Sequence, residues 1–511
     1  MSGGLRLARG TAVVLGFGCS ALYFTGFFPP RNNPNELSRI EAVVASVESG
    51  TFSIDSTLAR LGDTMDKSVW RGRYFSNKAP GLIFAAVPVY RAERFFAREP
   101  VVGWSGVFVL MRLVTVSLAS LLALARFTRR IERSPDGLGI APAVAFAVAF
   151  GTPFLFYSRS FFSHAWTASL LFLGWDLIRT SEERHGGRPG LLALAGLSAG
   201  WAAISEYPAA LVAAALAVRA TAGSGHGGPT RPTALMLFAG GAAPALLLLA
   251  LYNAACFGSP FRLSSACEAD PAFALLASRP LLGFRSPQPS AAWGSLFSLR
   301  RGALLFSPFW LWTIPGWIRW WRSGRERRDC VFTLAATLLV WLPITAYPNW
   351  DGGWSFGMRY LVPATFFAAL AIPHALRGPF SRGLFLAAAA FSAAFHVLGS
   401  FAWPHFSQSL SWPAATASAW LLAHRAVAPN LGVVVGLSPL VSLVPALLVF
   451  AWALAAVVRA FPASRPRPAA AAAVGVALFL ATLTVPIRVS PEDRSVRESL
   501  ASGATAGGAS P

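Results

Sequence analysis

The chain is organised as long apolar runs that are separated by short polar breaks. Each run is close to the roughly 20 residues that a helix needs to cross the hydrocarbon core of a bilayer. The pattern therefore predicts an all-α polytopic membrane protein with about 13 transmembrane helices. The predicted spans are 11–28, 101–125, 137–156, 161–178, 191–204, 209–220, 234–252, 303–318, 330–346, 360–376, 384–400, 431–458 and 469–485.

The composition fits a bilayer environment, since 55% of the residues are hydrophobic and only 13% are charged. The net charge is +21, but the basic residues lie in small groups between the apolar runs and form no continuous stripe. A distribution of this kind indicates membrane topology and argues against nucleic acid as a partner.

The arginine groups fix the predicted orientation. With a cytoplasmic N-terminus they all fall in cytoplasmic loops, as the positive-inside rule requires. Segment 81–96 is short and ends in charged residues, and treating it as a span would invert every later loop. It is therefore predicted to be an amphipathic helix on the membrane surface. The arginine groups lie at 126–133, 179–188, 219–231, 319–328, 377–382 and 459–467.

This topology places two long loops, 29–100 and 257–302, outside the cytoplasm. Residues 1–487 are predicted to form one transmembrane domain in the inner (plasma) membrane. Residues 488–511 are rich in Ala, Ser and Gly, and they are predicted to form a disordered extracytoplasmic tail. The polar residues outside the spans are thus concentrated on the outer face.

Loop 29–100 holds both lysines of the chain, Lys67 and Lys78, among 43 basic residues. An ammonium is a compact point charge that suits a phosphate oxygen. Carboxylates in the same loop, with Asp66 and Glu36 among them, suit a base that takes a hydroxyl proton. The alternative is a solvated loop whose charges only pair with one another.

Residues 34–47 of this loop have a helical apolar period, which predicts a helix lying on the membrane. Asn33 fits the N-cap position and Pro34 the first helical position. Glu36 would then be the reciprocal carboxylate of a capping box. That structural role competes evenly with a catalytic one.

Other candidates flank the short outer turns. An isolated carboxylate at a membrane boundary favours a functional role for Glu206. The structural alternatives are an Asx turn for Asp351 and a hydrogen bond between helices for His164. The candidates are Asp351 in a Gly-rich turn, Arg359 and Tyr360 at the start of the helix that follows it, and Arg159, His164 and Glu206 beside two other turns.

The order of several short motifs resembles the GT-C glycosyltransferases, particularly the branch with bacterial aminoarabinose transferase and the protein O-mannosyltransferases. The likeness covers residues 1–210. The motifs are Asn35-Glu36 at the start of the surface helix, Gly50-Thr51-Phe52, Gly72-Arg73-Tyr74-Phe75-Ser76-Asn77-Lys78-Ala79-Pro80-Gly81, Arg112, and Tyr157-Ser158-Arg159 followed by His164.

The resemblance implies inverting transfer of a sugar from a polyprenyl-phosphate donor to the hydroxyl of a glycan, lipid or protein acceptor. Asn35 stands where that branch has its aspartate base, so Glu36 and Asp66 compete for the role. Lys78 matches the lysine expected at the lipid phosphate. On this hypothesis Arg73, Lys67 and Tyr74 lie beside the donor, and the pocket is lined by Asn35, Arg159, His164, Glu206, Asp351, Arg359 and Tyr360.

Two other functions remain open, namely a transporter or flippase for lipid-linked glycans and a non-catalytic GT-C relative. Transporters place charged groups at the centre of the membrane, whereas the ionisable residues here stand at the ends of the spans. This favours surface chemistry. No cofactor is assigned, and a divalent metal fits the chemistry although no ligand set is evident.

Overall fold

The computed structural model describes residues 2–25, 33–96, 109–137, 139–183, 188–223, 228–279, 283–402, 405–461 and 468–506. The α-helices are Ser2–Thr25, Pro34–Glu48, Asp55–Leu61, Gly81–Phe96, Leu118–Arg133, Ala141–Phe150, Phe154–Tyr157, Ser163–Glu182, Pro189–Ser205, Ala209–Ala222, Arg231–Phe257, Pro271–Ala277, Pro289–Phe297, Ala303–Phe306, Thr313–Ser323, Arg327–Ala346, Thr365–Ala369, Ile372–Ala375, Pro379–Phe401, Trp420–Ala423, Leu431–Val434, Val444–Ala460, Pro468–Leu483 and Pro491–Ala506. The π-helical turns are Leu113–Ser117 and Ala414–Ala419, and the 3-10 helices are Ser264–Ala266, Pro308–Trp312, Arg359–Ala364 and Val441–Leu443. The strands are Lys67–Trp70 and Arg73–Ser76.

Within the described ranges, five helices are long and apolar enough to cross a membrane, and several expose apolar side chains that lipid would cover. The structure confirms a helical membrane protein, whereas the total of about 13 spans stays a prediction. Predicted span 360–376 is broken into short pieces, because Pro363 and Pro373 interrupt the helix. The five helices are Val109–Arg133, Arg231–Phe257, Arg327–Ala346, Pro379–Phe401 and Val441–Ala460.

Small residues let two of the helices cross closely. A Cβ atom added at Gly196 would lie 1.9 Å from the carbonyl oxygen of Phe238, and one at Gly241 would lie 1.9 Å from that of Ala193. Gly200 follows Gly196 by one helical turn on the same face. Helices Pro189–Ser205 and Arg231–Phe257 are thus held together by backbone contact that a side chain would prevent.

The charged residues divide between the two ends of the bundle. Helix Ser163–Glu182 has 20 residues and is therefore roughly 30 Å long. Near its C-terminus Asp176 pairs with Arg126 and Arg130, each at 2.7 Å. Its N-terminus lies at the opposite end, together with the two long loops and the turns at 157–163, 206–208 and 347–359. We call this the loop end.

Both helices predicted for the first long loop are confirmed, over Pro34–Glu48 and Gly81–Phe96. Asn33 is the N-cap of the first, and its side chain accepts a hydrogen bond from the backbone N–H of Asn35. The two helices pack against each other. The indole of Trp201 donates to the carbonyl of Gly81 at 2.8 Å, which ties the second helix to the bundle.

The all-α prediction missed a β-hairpin in the same loop. Strands Lys67–Trp70 and Arg73–Ser76 pair in antiparallel register around a two-residue turn in which both residues, Arg71 and Gly72, have positive φ. The second long loop lies beside the hairpin, since the N–H of Val69 donates to the carbonyl of Cys267 at 2.8 Å. The two long loops therefore form one layer over the loop end.

The C-terminal tail was predicted to be disordered, but the described part contains helix Pro491–Ala506. Ser490 and Asp493 exchange hydrogen bonds at 2.8 and 3.0 Å in the manner of a capping box, which starts the helix. Ser409 also donates to Asp493 at 2.6 Å. The Ala- and Ser-rich composition of the segment did not indicate this helix.

Candidate functional site

Glu36 lies at the base of the loop end, in a buried ion pair with Arg112. Each side chain is 1% exposed, and Nε and one terminal nitrogen of Arg112 lie 3.1 Å from Oε1 of Glu36. The N–H of Phe161 also donates to this oxygen, and Asn33 donates to Oε2 at 3.2 Å. The carboxylate thus joins the first long loop to the helix that carries Arg112 and to the turn that precedes helix Ser163–Glu182.

Arg39 follows Glu36 by three residues and contacts Asn35 and Ser163. Its guanidinium donates to the carbonyl of Asn35 at 2.9 Å and to the hydroxyl of Ser163 at 3.1 Å, and it also contacts the Asn35 side chain. Burial lowers the pKa of Arg39 to about 10, although Glu206 and Asp66 nearby counteract this effect. The residue remains a cation at neutral pH.

Glu206 is the residue that ends helix Pro189–Ser205, and it pairs with His164. Its Oε1 accepts from the Ser163 hydroxyl at 2.9 Å and contacts Nδ1 of His164. Burial raises the pKa of Glu206, but His164, Ser163 and Arg39 outweigh that effect, so the pKa lies below its ordinary value. Glu206 is therefore an ionised carboxylate that holds an imidazole.

Lys78 lies on the bend that precedes helix Gly81–Phe96, and its Nζ lies 2.9 Å from Asp66. The side chains are 18% and 14% exposed. Burial lowers the pKa of Lys78, while Asp66 raises it, and the net direction is downward. The second long loop contributes Glu268, which accepts from Asn77 at 2.7 Å and whose pKa burial raises to about 7.

Arg359 is the cation with the most open coordination in the site. Its guanidinium lies 5.7 Å from the ring centre of Phe162 and 5.1 Å from that of Tyr360, and one nitrogen donates to the Tyr360 hydroxyl at 3.4 Å. In the described part of the chain it forms no ion pair with a carboxylate, and its Nε has no hydrogen-bond partner. It is half-buried.

Asp351 makes the Asx turn that the sequence allowed, because its Oδ1 accepts from the N–H of Gly353 at 2.9 Å. Its carbonyl accepts from Arg301 at 3.3 Å. Arg301 also donates to the carbonyls of Gly353 and Phe406, each at 2.9 Å. These bonds fix the turn that presents Arg359.

An apolar cavity of about 270 Å³ adjoins this turn within the bundle. Met358 and Leu361 line the cavity, and they flank Arg359 and Tyr360 in the chain. The remaining wall is mostly aromatic and aliphatic, with Trp310, Trp317 and Trp341 from neighbouring helices. A polar, cationic cluster and an apolar cavity therefore meet at one short 3-10 segment.

Four predicted site residues lie away from this cluster. Lys67 pairs with Asp63 and covers the ring of Tyr74, with Nζ 4.8 Å from its centre. Arg73 is exposed near the turn of the hairpin. Arg159 is buried against Phe24, 4.3 Å from the ring centre, and donates to the carbonyl of Ser400 at 3.3 Å.

The sequence analysis did not assign Arg39, Arg112 or Glu268 to the site. A signal existed for Arg39, because Asn35 and Arg39 are four residues apart and so share one face of the predicted helix. Glu268 gave none, since only the pairing of the two long loops brings it to Asn77. Among the described residues, no group of three His, Cys, Asp or Glu side chains could hold a metal ion.

Comparison with known proteins gives similar solved structures but no close relative. ArnT from Cupriavidus metallidurans bound to undecaprenyl phosphate is 15% identical, with a TM-score of 0.49 over 93% of this chain and 78% of that chain. The apo form is 14% identical, with a TM-score of 0.47 over 94% and 76%. Arabinosyltransferase EmbB from Mycobacterium smegmatis is 15% identical, with a TM-score of 0.41 over 92% and 41%.

No protein-family model and no curated protein matches the chain. ArnT and EmbB are both membrane glycosyltransferases of the GT-C superfamily, which is the group that the sequence motifs resemble. With identities and TM-scores this low, the function of this chain has to be argued from the contacts of its own site.

Proposed function

We propose that the protein is a glycosyltransferase that moves a sugar from a polyprenyl-phosphate donor to an acceptor hydroxyl at the loop end, with inversion at the anomeric carbon. The observation that carries the proposal is the position of Arg359, a cation without a carboxylate partner in the described chain, beside an apolar cavity. A ligand with an anionic head and an apolar tail matches both parts.

Three cations of the loop end could bind a phosphate group whose negative charge increases when its bond to the sugar breaks. Arg359 offers free N–H donors, Arg39 is held rigidly by Asn35 and Ser163, and Lys78 lies in the same polar layer. Fixed donors in a partly dry site stabilise a developing anion better than water does. In this proposal the three cations bind the lipid phosphate in the ground state and more strongly in the transition state.

The cavity suits the first isoprene units of the donor. Its walls are apolar, and exposed Leu338 and Leu342 on helix Arg327–Ala346 place lipid-facing surface beside it. A lipid donor that enters sideways from the bilayer needs no nucleotide-binding loop. The sugar would then lie above the phosphate, among Tyr360, Glu206 and Asp66.

Binding of undecaprenyl phosphate to the purified protein tests the ligand class directly. We expect Arg359→Ala to weaken binding at least tenfold, because loss of a charge-assisted contact typically costs about 1.5–3 kcal/mol. Arg279→Ala is the matched control, since Arg279 is an exposed arginine of the second long loop. Equal binding by both variants and the wild type would refute the proposed head-group site.

Transfer is tested with synthetic undecaprenyl phosphates that carry radiolabelled pentoses or hexoses, with cell-envelope membranes as acceptor. Label should move to the membranes with the wild type and not with Arg359→Ala. If no donor in the panel is turned over although undecaprenyl phosphate binds, a carrier for lipid-linked glycans would replace the transferase as the better proposal.

The proposal also requires the loop end to lie outside the cytoplasm of an inner-membrane protein. A single cysteine at Arg279→Cys, with the four native cysteines replaced by serine, should react with an impermeant maleimide added to intact spheroplasts. Labelling that occurs only after lysis would show that the loop end lies in the cytoplasm and would contradict the predicted orientation.

A further inference from the structure

The pair formed by His164 and Glu206 has the arrangement of a proton acceptor with its orienting carboxylate. Glu206 contacts Nδ1 of the ring, and the same oxygen accepts from Ser163 at 2.9 Å. Ser163 in turn accepts from Arg39 at 3.1 Å. The carboxylate is thereby held by helix Ser163–Glu182, and Arg39 of helix Pro34–Glu48 acts on it through Ser163.

The Glu206 carboxylate contacts Nδ1 without the alignment of a hydrogen bond, and its charge favours the tautomer that carries the proton on Nδ1 and the lone pair on Nε2. In the described part of the chain Nε2 of His164 makes no hydrogen bond, and 9% of the side chain is exposed. Aromatic rings fix the orientation of the imidazole, since it meets Tyr157 and Tyr360 edge-on at centroid distances of 5.3 and 5.8 Å. The ring is thereby held in one orientation, and Nε2 is left without a partner among the described residues.

The carboxylates that the sequence favoured as base are less available. Glu36 is 1% exposed and accepts from Arg112, the N–H of Phe161 and Asn33. Asp66 lies 2.9 Å from the ammonium of Lys78. A carboxylate held by a cation is a weaker proton acceptor, because protonation must break the ion pair.

We infer that His164 is the residue that takes the proton from the acceptor hydroxyl, with Glu206 as its positioning residue. This inference rests on the proposed transfer reaction. The acceptor oxygen forms its bond to the anomeric carbon as its proton passes to Nε2, and the bond from that carbon to the phosphate oxygen breaks with its electron pair on the phosphate. Glu206 stabilises the imidazolium, and Arg359 stabilises the departing phosphate.

The test compares His164→Gln with the wild type for transfer and for binding of undecaprenyl phosphate. We expect transfer to fall by on the order of a hundredfold or more, with binding unchanged, because general base catalysis contributes that much. His424→Gln is the matched control, since His424 is exposed and stacks on Trp420 at the edge of the bundle. Size-exclusion profiles and melting curves establish that the variants are folded.

Glu206→Gln separates positioning from simple structural support. The groups that act on the ring are Glu206, Arg39 and Arg359, with Tyr157 and Tyr360 in ring contact. Loss of the Glu206 charge should move the acidic limb of the pH–rate profile to lower pH, because the two arginines then destabilise the imidazolium unopposed. Glu206→Asp should recover part of the transfer rate and bring the acidic limb part of the way back to its wild-type pH. If Glu206 had only a structural role, its replacement would not move the acidic limb.

The two hypotheses fail in different ways. If His164→Gln keeps more than a tenth of wild-type transfer while Arg359→Ala loses binding, the inference is wrong and the proposed function stands. An unshifted acidic limb in Glu206→Gln also contradicts the inference. If the wild type neither binds undecaprenyl phosphate nor transfers sugar, both are wrong.

Discussion

Replacing Glu36 by glutamine should reveal whether this carboxylate is a structural anchor or a base. Glutamine keeps the size of the side chain and removes the charge that faces Arg112, 3.1 Å away. At an effective dielectric constant of about 20, that pair is worth about 5 kcal/mol before desolvation is considered. Removing one partner of a buried pair generally costs about 3–5 kcal/mol.

We therefore expect Glu36→Gln to lower the free energy of unfolding by about 3 kcal/mol. Asp63→Asn is the control in the same loop, because Asp63 is 71% exposed and pairs with Lys67 at the surface. Such a surface pair contributes about 1 kcal/mol at most. Unfolding in mixed micelles, followed by tryptophan fluorescence, measures both variants.

A double-mutant cycle with Arg112→Gln adds a second readout, since the loss in the double variant should be smaller than the sum of the single losses. Transfer per folded molecule should stay within tenfold of the wild type. A variant that is as stable as the wild type but has lost a hundredfold in transfer would refute the structural reading and make Glu36 the base.

Three further predictions address the lysine, a buried acid and a helix crossing. Lys78→Ala should weaken binding of undecaprenyl phosphate, and Lys78→Arg should keep part of the binding because the charge persists while the shape changes. Binding is measured by titration beside the Arg279→Ala control, and unchanged binding by Lys78→Ala would contradict the prediction. Burial raises the pKa of Glu41 to about 8, and neither carboxyl oxygen has a hydrogen-bond partner among the described residues. Between the ordinary pKa of a glutamate and this value, the folded protein keeps the carboxyl proton and the unfolded chain releases it. Stability should then fall as pH rises from 5 to 9 in the wild type by more than in Glu41→Gln, and parallel pH profiles of the two melting temperatures would disprove the assignment. Gly196→Ala should destabilise the bundle by roughly 1–3 kcal/mol, because its Cβ would lie 1.9 Å from the carbonyl of Phe238. Gly190→Ala in the same helix has no atom within 4 Å of the new Cβ and should be neutral by the same melting assay.

Local signals predicted the helices of the loop end well. The apolar stripe, Asn33 and Pro34 gave helix Pro34–Glu48 to within a residue, since a cap and a period act over a few neighbouring positions. The hairpin escaped prediction because its turn is Arg71-Gly72, and an arginine with positive φ is not the residue that such turns normally use. The tail helix escaped because one capping box was outweighed by an Ala- and Ser-rich composition.

The side chains that meet at the loop end were named from the sequence, but their pairing was not predicted. Asp66 and Lys78 came from a charged loop and His164, Glu206 and Arg359 from the outer turns, and their role as one site stays a prediction. Which carboxylate meets which cation depends on distances between segments that are far apart in sequence. Glu36 meets Arg112 across 76 positions, and no local pattern encodes that contact.

The ion pairs of the loop end indicate which side chain is available to a ligand. Three carboxylates of the loop end contact a basic side chain: Glu36 contacts Arg112, Asp66 contacts Lys78, and Glu206 contacts His164. Among the described residues Arg359 contacts ring faces and one tyrosine hydroxyl but no carboxylate, so its guanidinium remains available to an anionic ligand. An anionic group would give the Arg359 guanidinium the charged partner that it lacks within 4 Å among the described residues. Because the chain continues from Arg359 into the wall of an apolar cavity, the anion that best completes the site is the head of a lipid.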